Sequence, residues 1–202
     1  MVPRAPLIVA SIVCSLVLSP WSLATAGQAK KPGSSKKMGL SIRVEGGGWG
    51  SASNEEIESV LYSVADELLT RIPSKLTTPI VVTHTERNPV ALYDKGPGGE
   101  YQVHLHAGDR HWPEYVYEFA HELCHIVSNY EEHVGTDTHK YNQWFEETLC
   151  ETASLHTLNA LASTWETATP DPRLALSAPA LLSLIHISEP TRRTPTSYAV
   201  FC

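Results

Sequence analysis

The residues from Glu118 to Ser128 read EFAHELCHIVS, and this stretch decides how the rest of the sequence is interpreted. Its apolar residues recur every three or four positions, which is the spacing of one buried face of an α-helix. On such a helix His121 and His125 lie about 40° apart around the axis, so both imidazoles can reach one cation. Imidazole nitrogens are common ligands of Zn²⁺. The stretch therefore predicts a metal-binding helix, with Glu122 placed beside the first ligand.

A catalytic zinc site needs a third protein ligand and an open position. A further helix is predicted from about Asn142 to Ala162, and near its start the chain reads WFEETLCE. Glu147 and Glu151 in this run are four residues apart and share one face of the helix. This run offers the third ligand.

At these two segments the sequence resembles the gluzincin class of zinc metallopeptidases. The run HELCHIVSNY, from His121 to Tyr130, is similar to the active-site helix of thermolysin-like enzymes. The run WFEE, from Trp144 to Glu147, is similar to the W-x-x-E segment of gluzincin aminopeptidases. The resemblance extends over residues 104–154, about a quarter of the chain.

The resemblance implies one Zn²⁺ per chain with three protein ligands: His121, His125 and Glu147. Glu146 is the competing choice for the third ligand, and Glu147 is preferred because it forms the four-residue pair with Glu151 that the family pattern needs. It implies Glu122 as the general base that takes a proton from zinc-activated water. It also implies Glu151 as the acidic residue that orients a ligand histidine. Such peptidases need a Tyr or His donor to stabilise the oxyanion, and Tyr141 and His156 are the candidates. The expected function is hydrolysis of a peptide or protein substrate, and the alternative is a non-catalytic zinc-binding module.

Short segments with strand and helix signals surround the motif. Leu40–Val44 and Tyr101–His106 alternate apolar and polar residues, as strands do, and two shorter strands are predicted at Ile80–Val82 and Ala91–Tyr93. Ser53 and Glu56 form a capping box at the start of a helix that ends before Pro73. The prediction is a small α+β zincin-like domain with a short mixed sheet. The resemblance makes Tyr101–His106 the edge strand that packs on the active-site helix and aligns substrate.

Two cysteines and three tryptophans are expected beside these helices. Cys124 and Cys150 each follow a proposed ligand by three residues, on helices that must approach each other to share a metal. In an exported protein this favours a disulfide that braces the site, and two buried thiols are the alternative. The tryptophans are expected to pack against the helices: Trp112, Trp144 and Trp165.

The N-terminal residues have the layout of a secretory signal peptide. Arg4 precedes an apolar run over residues 5–18, and Ala24 and Ala26 supply the small residues of a cleavage site. Residues 1–26 are therefore predicted to direct export, to a secreted or periplasmic location, and a retained signal anchor is the alternative. Residues 27–38 are predicted to be a flexible basic linker. No membrane attachment is expected after cleavage.

The C-terminal residues do not resemble the rest of the domain. Residues 182–192 read LSLIHISEPTR, which resembles the translation of a transposase-type sequencing adapter. We therefore expect residues 182–202 to be a non-native tail, with a genuine polar tail as the alternative. This leaves residues 39–181 as the domain, and on this interpretation its natural sequence is cut short.

The charge of the chain excludes one class of partner. All 202 residues carry 15 Lys and Arg against 22 Asp and Glu, a formal net charge of −7. Residues 39–181 alone carry 8 against 21, a net charge of −13. Such an acidic domain is not a nucleic-acid binder that works through a basic surface.

Overall fold

The computed structural model describes residues 39–72, 74–128, 143–169 and 171–188, with side chains as far as residue 185. The predicted signal peptide and linker, the candidate Tyr141 and most of the predicted tail lie outside these ranges. Over the described ranges, every helix is too short or too polar to span a membrane.

The described residues form an α+β fold, and the predicted short mixed sheet is confirmed. Its strands are β1 (Ile42–Val44), β2 (Ile80–His84), β3 (Val90–Leu92) and β4 (Tyr101–Leu105). Its helices are α1 (Asn54–Arg71), α2 (Trp112–Ser128), α3 (Gln143–Ala168) and α4 (Ala178–Ser188). A 3₁₀ turn, Pro172–Ser177, joins α3 to α4.

The order of strands in the sheet is β1-β2-β4-β3. β1, β2 and β4 are parallel, and β3 is antiparallel to β4. The prediction that Tyr101–His106 form an edge strand is therefore wrong, because β4 lies inside the sheet and β3 is at its edge. The physical reason is the hairpin turn at Gly96–Gly99, where the Gly99 N–H donates to the Gly96 carbonyl at 2.8 Å. After this turn the chain runs back as β4, which lies between β2 and β3 in the sheet.

The predicted capping box at the start of α1 is confirmed. The Ser53 hydroxyl accepts a hydrogen bond from the Glu56 N–H at 3.2 Å, and the Glu56 carboxylate accepts one from the Ser53 N–H at 3.0 Å. Arg110 and Arg173 also pair with Glu56, at 3.1 and 2.7 Å. Hydrogen bonds from Ser53 and Arg110 lower the pKa of Glu56. The N-terminus of α1 is thus fixed to the loop before α2 and to the 3₁₀ turn.

Helix α2 is the central element of the core. It contacts β3, β4, α1, α3 and α4. Tyr115, Phe119 and Leu123 on its apolar stripe are fully buried. Because this stripe fixes the rotation of the helix, His121 and His125 are only half-buried, beside the start of α3.

Glu118 joins α2 to the end of β4. Its Oε2 atom accepts hydrogen bonds from the N–H groups of His106 and Ala107, at 2.8 and 2.9 Å. Burial disfavours the ionised carboxylate more than these hydrogen bonds favour it, and raises the pKa of Glu118 to about 7. The folded chain therefore holds a proton on Glu118 at pH values where the unfolded chain has lost it.

Glu118→Gln is expected to stabilise the fold above pH 7 and to change it little near pH 4.5. The amide oxygen can accept both N–H groups without a buried charge. Since the unfolded carboxyl titrates near 4.5, the wild type loses about 1–3 kcal/mol relative to the variant as the pH rises from 4.5 to 7. Urea unfolding of both chains at pH 5 and pH 8 measures this difference. Equal pH dependence in the two chains would contradict it.

Helix α3 extends past the predicted end near Ala162, to Ala168. Trp165 is still on the buried face of the helix, and the first helix-breaking residue is Pro170. Helix α4 spans the expected tail boundary between residues 181 and 182. Leu184 and Ile185, beyond that boundary, are partly buried against the core.

Candidate metal centre

The three predicted metal ligands come together between α2 and the start of α3. One donor atom from each of His121, His125 and Glu147 lies within 4.8 Å of the other two. Glu147 Oε2 is 3.2 Å from His121 Nε2 and 3.6 Å from His125 Nε2. All three residues are half-buried, so the cluster is partly exposed to solvent.

The spacing of these donors suits a small divalent metal ion. Ligands that bind a tetrahedral ion at about 2.0–2.1 Å lie roughly 3.3–3.4 Å from each other. The separations of 3.2 and 3.6 Å from Glu147 to the two imidazoles bracket this value. Two imidazoles and one carboxylate would leave the fourth position of such an ion free for water or a substrate.

Glu146 contacts the other nitrogen of a ligand imidazole. Its Oε1 atom is 2.8 Å from His125 Nδ1. A carboxylate in this position holds the proton on Nδ1 and leaves the Nε2 lone pair for a metal. Sequence reasoning treated Glu146 only as a competing ligand. The missed signal is that Glu146 and Glu147 are about 100° apart on α3, so they can approach one imidazole from two sides.

The histidines and glutamates of this cluster shift each other's pKa values. Hydrogen bonds from His121 and His125 lower the pKa of Glu147 far below its usual range. For His125, burial opposes the charged form, but hydrogen bonds to Glu147 and Glu146 outweigh it and raise the pKa to about 9. Without a metal, the imidazole of His125 therefore keeps a proton that a bound cation would have to displace.

Glu122 is a residue of α2 whose carboxyl group contacts the edge strand β3. It is only 6% exposed, and its Oε2 atom accepts a hydrogen bond from the Ala91 N–H of β3 at 2.7 Å. Burial raises the pKa of Glu122, and the charges of His121 and His125 oppose that shift. The carboxyl group is thus held beside the ligand cluster by the backbone of β3, a contact that the sequence pattern did not predict.

Two other predicted site residues make contacts elsewhere. Glu151 accepts a hydrogen bond from the Tyr117 hydroxyl, one turn before His121 on α2. His156 Nε2 is 3.7 Å from Glu67 Oε1 of α1. His156 follows Glu147 by nine residues, or about 900° of rotation, so it lies on the opposite side of α3 and the structure does not bring it to the ligand cluster. Tyr141 is outside the described residues.

Cys124 and Cys150 are both fully buried and both free thiols. They are hydrogen-bonding neighbours, and the hydrogen bond from Cys150 lowers the pKa of Cys124 against the effect of burial. The alternative of two buried thiols is thus the state that the structure contains, and the predicted disulfide is not formed in it. The expected proximity of the two helices at this point is present.

The three tryptophans have different environments. Trp112 and Trp165 are buried, as predicted. The prediction is wrong for Trp144, which is 71% exposed. The physical reason is its place in the first turn of α3, where the side of the helix that carries it is not covered by α2.

These contacts place a potential metal site, a buried carboxyl group and a sheet edge side by side. Glu122 connects them, because it follows His121 in the chain and binds Ala91 of β3.

Comparison of the chain with models of protein families, with curated proteins and with solved structures gave no match.

Proposed function

We propose that this chain is an exported zinc-dependent hydrolase, and specifically a metallopeptidase. The observation that carries the proposal is the position of Glu122, which lies between a three-donor cluster and a sheet edge. A metal-dependent peptidase needs these three parts in contact: a metal with an open position, a group that can carry a proton, and a surface that holds an extended peptide.

The edge strand β3 offers the peptide-binding surface. Val90 and Leu92 flank Ala91 in β3, and all three residues are in register with β4. The Ala91 N–H donates to Glu122. In an antiparallel pair the N–H and C=O of one residue point to the same side, so the Ala91 carbonyl also points away from β4. Glu122 already accepts the Ala91 N–H at this edge, so the Ala91 carbonyl is the main-chain group that can accept a hydrogen bond from an extended peptide next to Glu122. The substrate-aligning role that the sequence suggested for β4 is thus better suited to β3.

The side chains have distinct roles in the proposed reaction. Zinc, when bound, would polarise the scissile carbonyl and acidify an attacking water. Glu122 takes a proton from that water and delivers it to the leaving amine. Burial raises the pKa of Glu122, which brings the proton affinity of its carboxylate closer to that of the water and the amine. Glu146 keeps the His125 ring in the orientation that presents Nε2 to the cluster.

The purified full chain is expected to bind one zinc per molecule and to hydrolyse peptides. Elemental analysis after dialysis measures the metal content, and a mixture of quenched fluorescent peptides reports cleavage. Phenanthroline should abolish cleavage, and added Zn²⁺ should restore it. A chain that binds no zinc would contradict the metal site. A chain that binds zinc but cleaves no peptide would contradict the peptidase and favour a zinc-binding module.

A further inference from the structure

Two buried thiols meet where the ligand-bearing helices pack against each other. Cys124 belongs to α2 and Cys150 belongs to α3. Both side chains are fully buried, and the two thiols are hydrogen-bonding neighbours. Neither sulfur belongs to the three-donor cluster, and the reaction proposed above does not use them. The position of this pair between the two helices therefore needs an explanation of its own.

The two helices run antiparallel past the thiol pair and are joined on both sides of it. On one side, the Ser154 hydroxyl donates a hydrogen bond to the Tyr117 carbonyl at 3.0 Å. On the other side, His125 Nδ1 is 2.8 Å from Glu146 Oε1. Residue numbers thus rise along α2 as they fall along α3. The thiol pair lies between these two contacts, where the spacing of the helices is already fixed.

Several features of the chain favour oxidation of this pair. A disulfide requires two cysteines that already approach each other closely, and the hydrogen-bonded thiols of Cys124 and Cys150 do so across the helix interface. The proposed export places the chain in an oxidising compartment. A bond between the two sulfurs would close a loop of 25 intervening residues and so restrict the unfolded chain. Oxidation would therefore stabilise the folded arrangement of the two helices.

We propose that Cys124 and Cys150 are a redox site: a disulfide oxidant joins them, and the bond holds α2 and α3 at the spacing that the donor cluster needs. The structure shows the reduced state of this site. The inference rests on the proposed function for the export of the chain and for zinc as the metal. Cys124 is adjacent to His125, and Cys150 follows Glu147 by three residues. A bond between the cysteines thus fixes one ligand on each helix and preorganises the site for zinc.

The step is a thiol–disulfide exchange with oxidised glutathione or a disulfide of the same class. One cysteine sulfur attacks a sulfur of the oxidant, which breaks the S–S bond of the oxidant and releases one glutathione thiol. The second cysteine then attacks the mixed disulfide and releases the other glutathione. The protein loses two electrons and two protons, and the two glutathione thiols gain them. Because both cysteines are buried in the folded chain, the exchange takes place before α3 has packed on α2.

Mass spectrometry tests the bond directly. The full chain is refolded with oxidised and reduced glutathione, or with a phosphine reductant, and free thiols are alkylated in denaturant before digestion. The glutathione preparation is expected to yield two peptides linked through Cys124 and Cys150. Its melting temperature should exceed that of the reduced preparation by about 10 °C. Alkylation of both cysteines in the glutathione preparation, or linkage of either one to Cys14 or Cys202, overturns the proposal.

Zinc affinity tests what the bond does to the donor cluster. After the reagents are removed, both preparations are titrated with Zn²⁺ against a chromophoric chelator. The oxidised chain is expected to bind zinc about tenfold more tightly, which is the size of effect that groups supporting metal ligands typically have. Equal affinity of the two states overturns the proposal.

The matched control is the double variant Cys124→Ser and Cys150→Ser. It keeps two hydrogen-bonding side chains of similar size at the helix interface, but it cannot form the bond. Its zinc affinity should therefore be the same after either treatment. A difference between the treatments in this variant would assign the effect to another part of the chain and would overturn the proposal.

These measurements separate failure of the inference from failure of the proposed function. The linked peptides and the melting temperature are measured without zinc and without peptide cleavage. A chain that forms the bond but binds zinc in neither state would contradict the metal site, while its higher melting temperature would still support a bond that holds the two helices. A chain that binds zinc equally well and cleaves peptides in both states would support the proposed function and overturn this inference.

Discussion

Glu122→Gln is expected to lower kcat by about 10²–10⁴-fold while the chain keeps its zinc. Glutamine has the size of glutamate, and its amide oxygen can accept the hydrogen bond that the Ala91 N–H donates to Glu122. The side chain therefore keeps its position, but it can no longer take a proton. Stopped assays of peptide cleavage together with elemental analysis of the same preparation measure both quantities.

The matched control for this variant is Glu118→Gln. Glu118 lies one turn earlier on α2 and also accepts backbone hydrogen bonds, from His106 and Ala107, at the end of β4. The same isosteric change at that position is expected to leave kcat within about twofold, because no proton transfer is proposed for it. If Glu122→Gln cleaved peptides as fast as the wild type, the assigned base would be wrong.

Local structure was predictable where a single physical cause determines it. The capping box at Ser53 depends on residues three positions apart, and it forms as expected. The spacing of apolar residues predicted the helix α2, because the same stripe that appears in the sequence is the face that the core buries. The imidazoles of His121 and His125 lie on one side of that helix for the same reason.

Tertiary arrangement was less accessible to sequence reasoning. The alternation in Tyr101–His106 indicates a strand, but the order of strands depends on how the hairpin at Gly96–Gly99 packs, and alternation does not encode it. The contact from Ala91 to Glu122 depends on that order, so it was missed together with it. The exposure of Trp144 likewise follows from which side of α3 meets α2.

The strongest test of the ligand assignment is Glu147→Gln, which is expected to abolish zinc binding at concentrations that saturate the wild type. Glu147 Oε2 contacts both His121 and His125, and Glu147 is the carboxylate of the three-donor group that the described residues form. A neutral amide oxygen is a weak zinc ligand, and two imidazoles alone hold the ion poorly. Because metal catalysis supplies several kcal/mol, peptide cleavage should fall by about 10³-fold or more.

Glu146→Gln provides the contrast, since it makes the same chemical change one residue earlier. Glu146 contacts His125 at Nδ1, and a glutamine oxygen can still accept that hydrogen bond. The chain should therefore retain one zinc, with affinity lowered about tenfold by the loss of the orienting charge. Competition titration with a chromophoric zinc chelator ranks the two variants. The opposite ranking, with zinc lost in Glu146→Gln and kept in Glu147→Gln, would make Glu146 the ligand and would require the start of α3 to rotate when the metal binds.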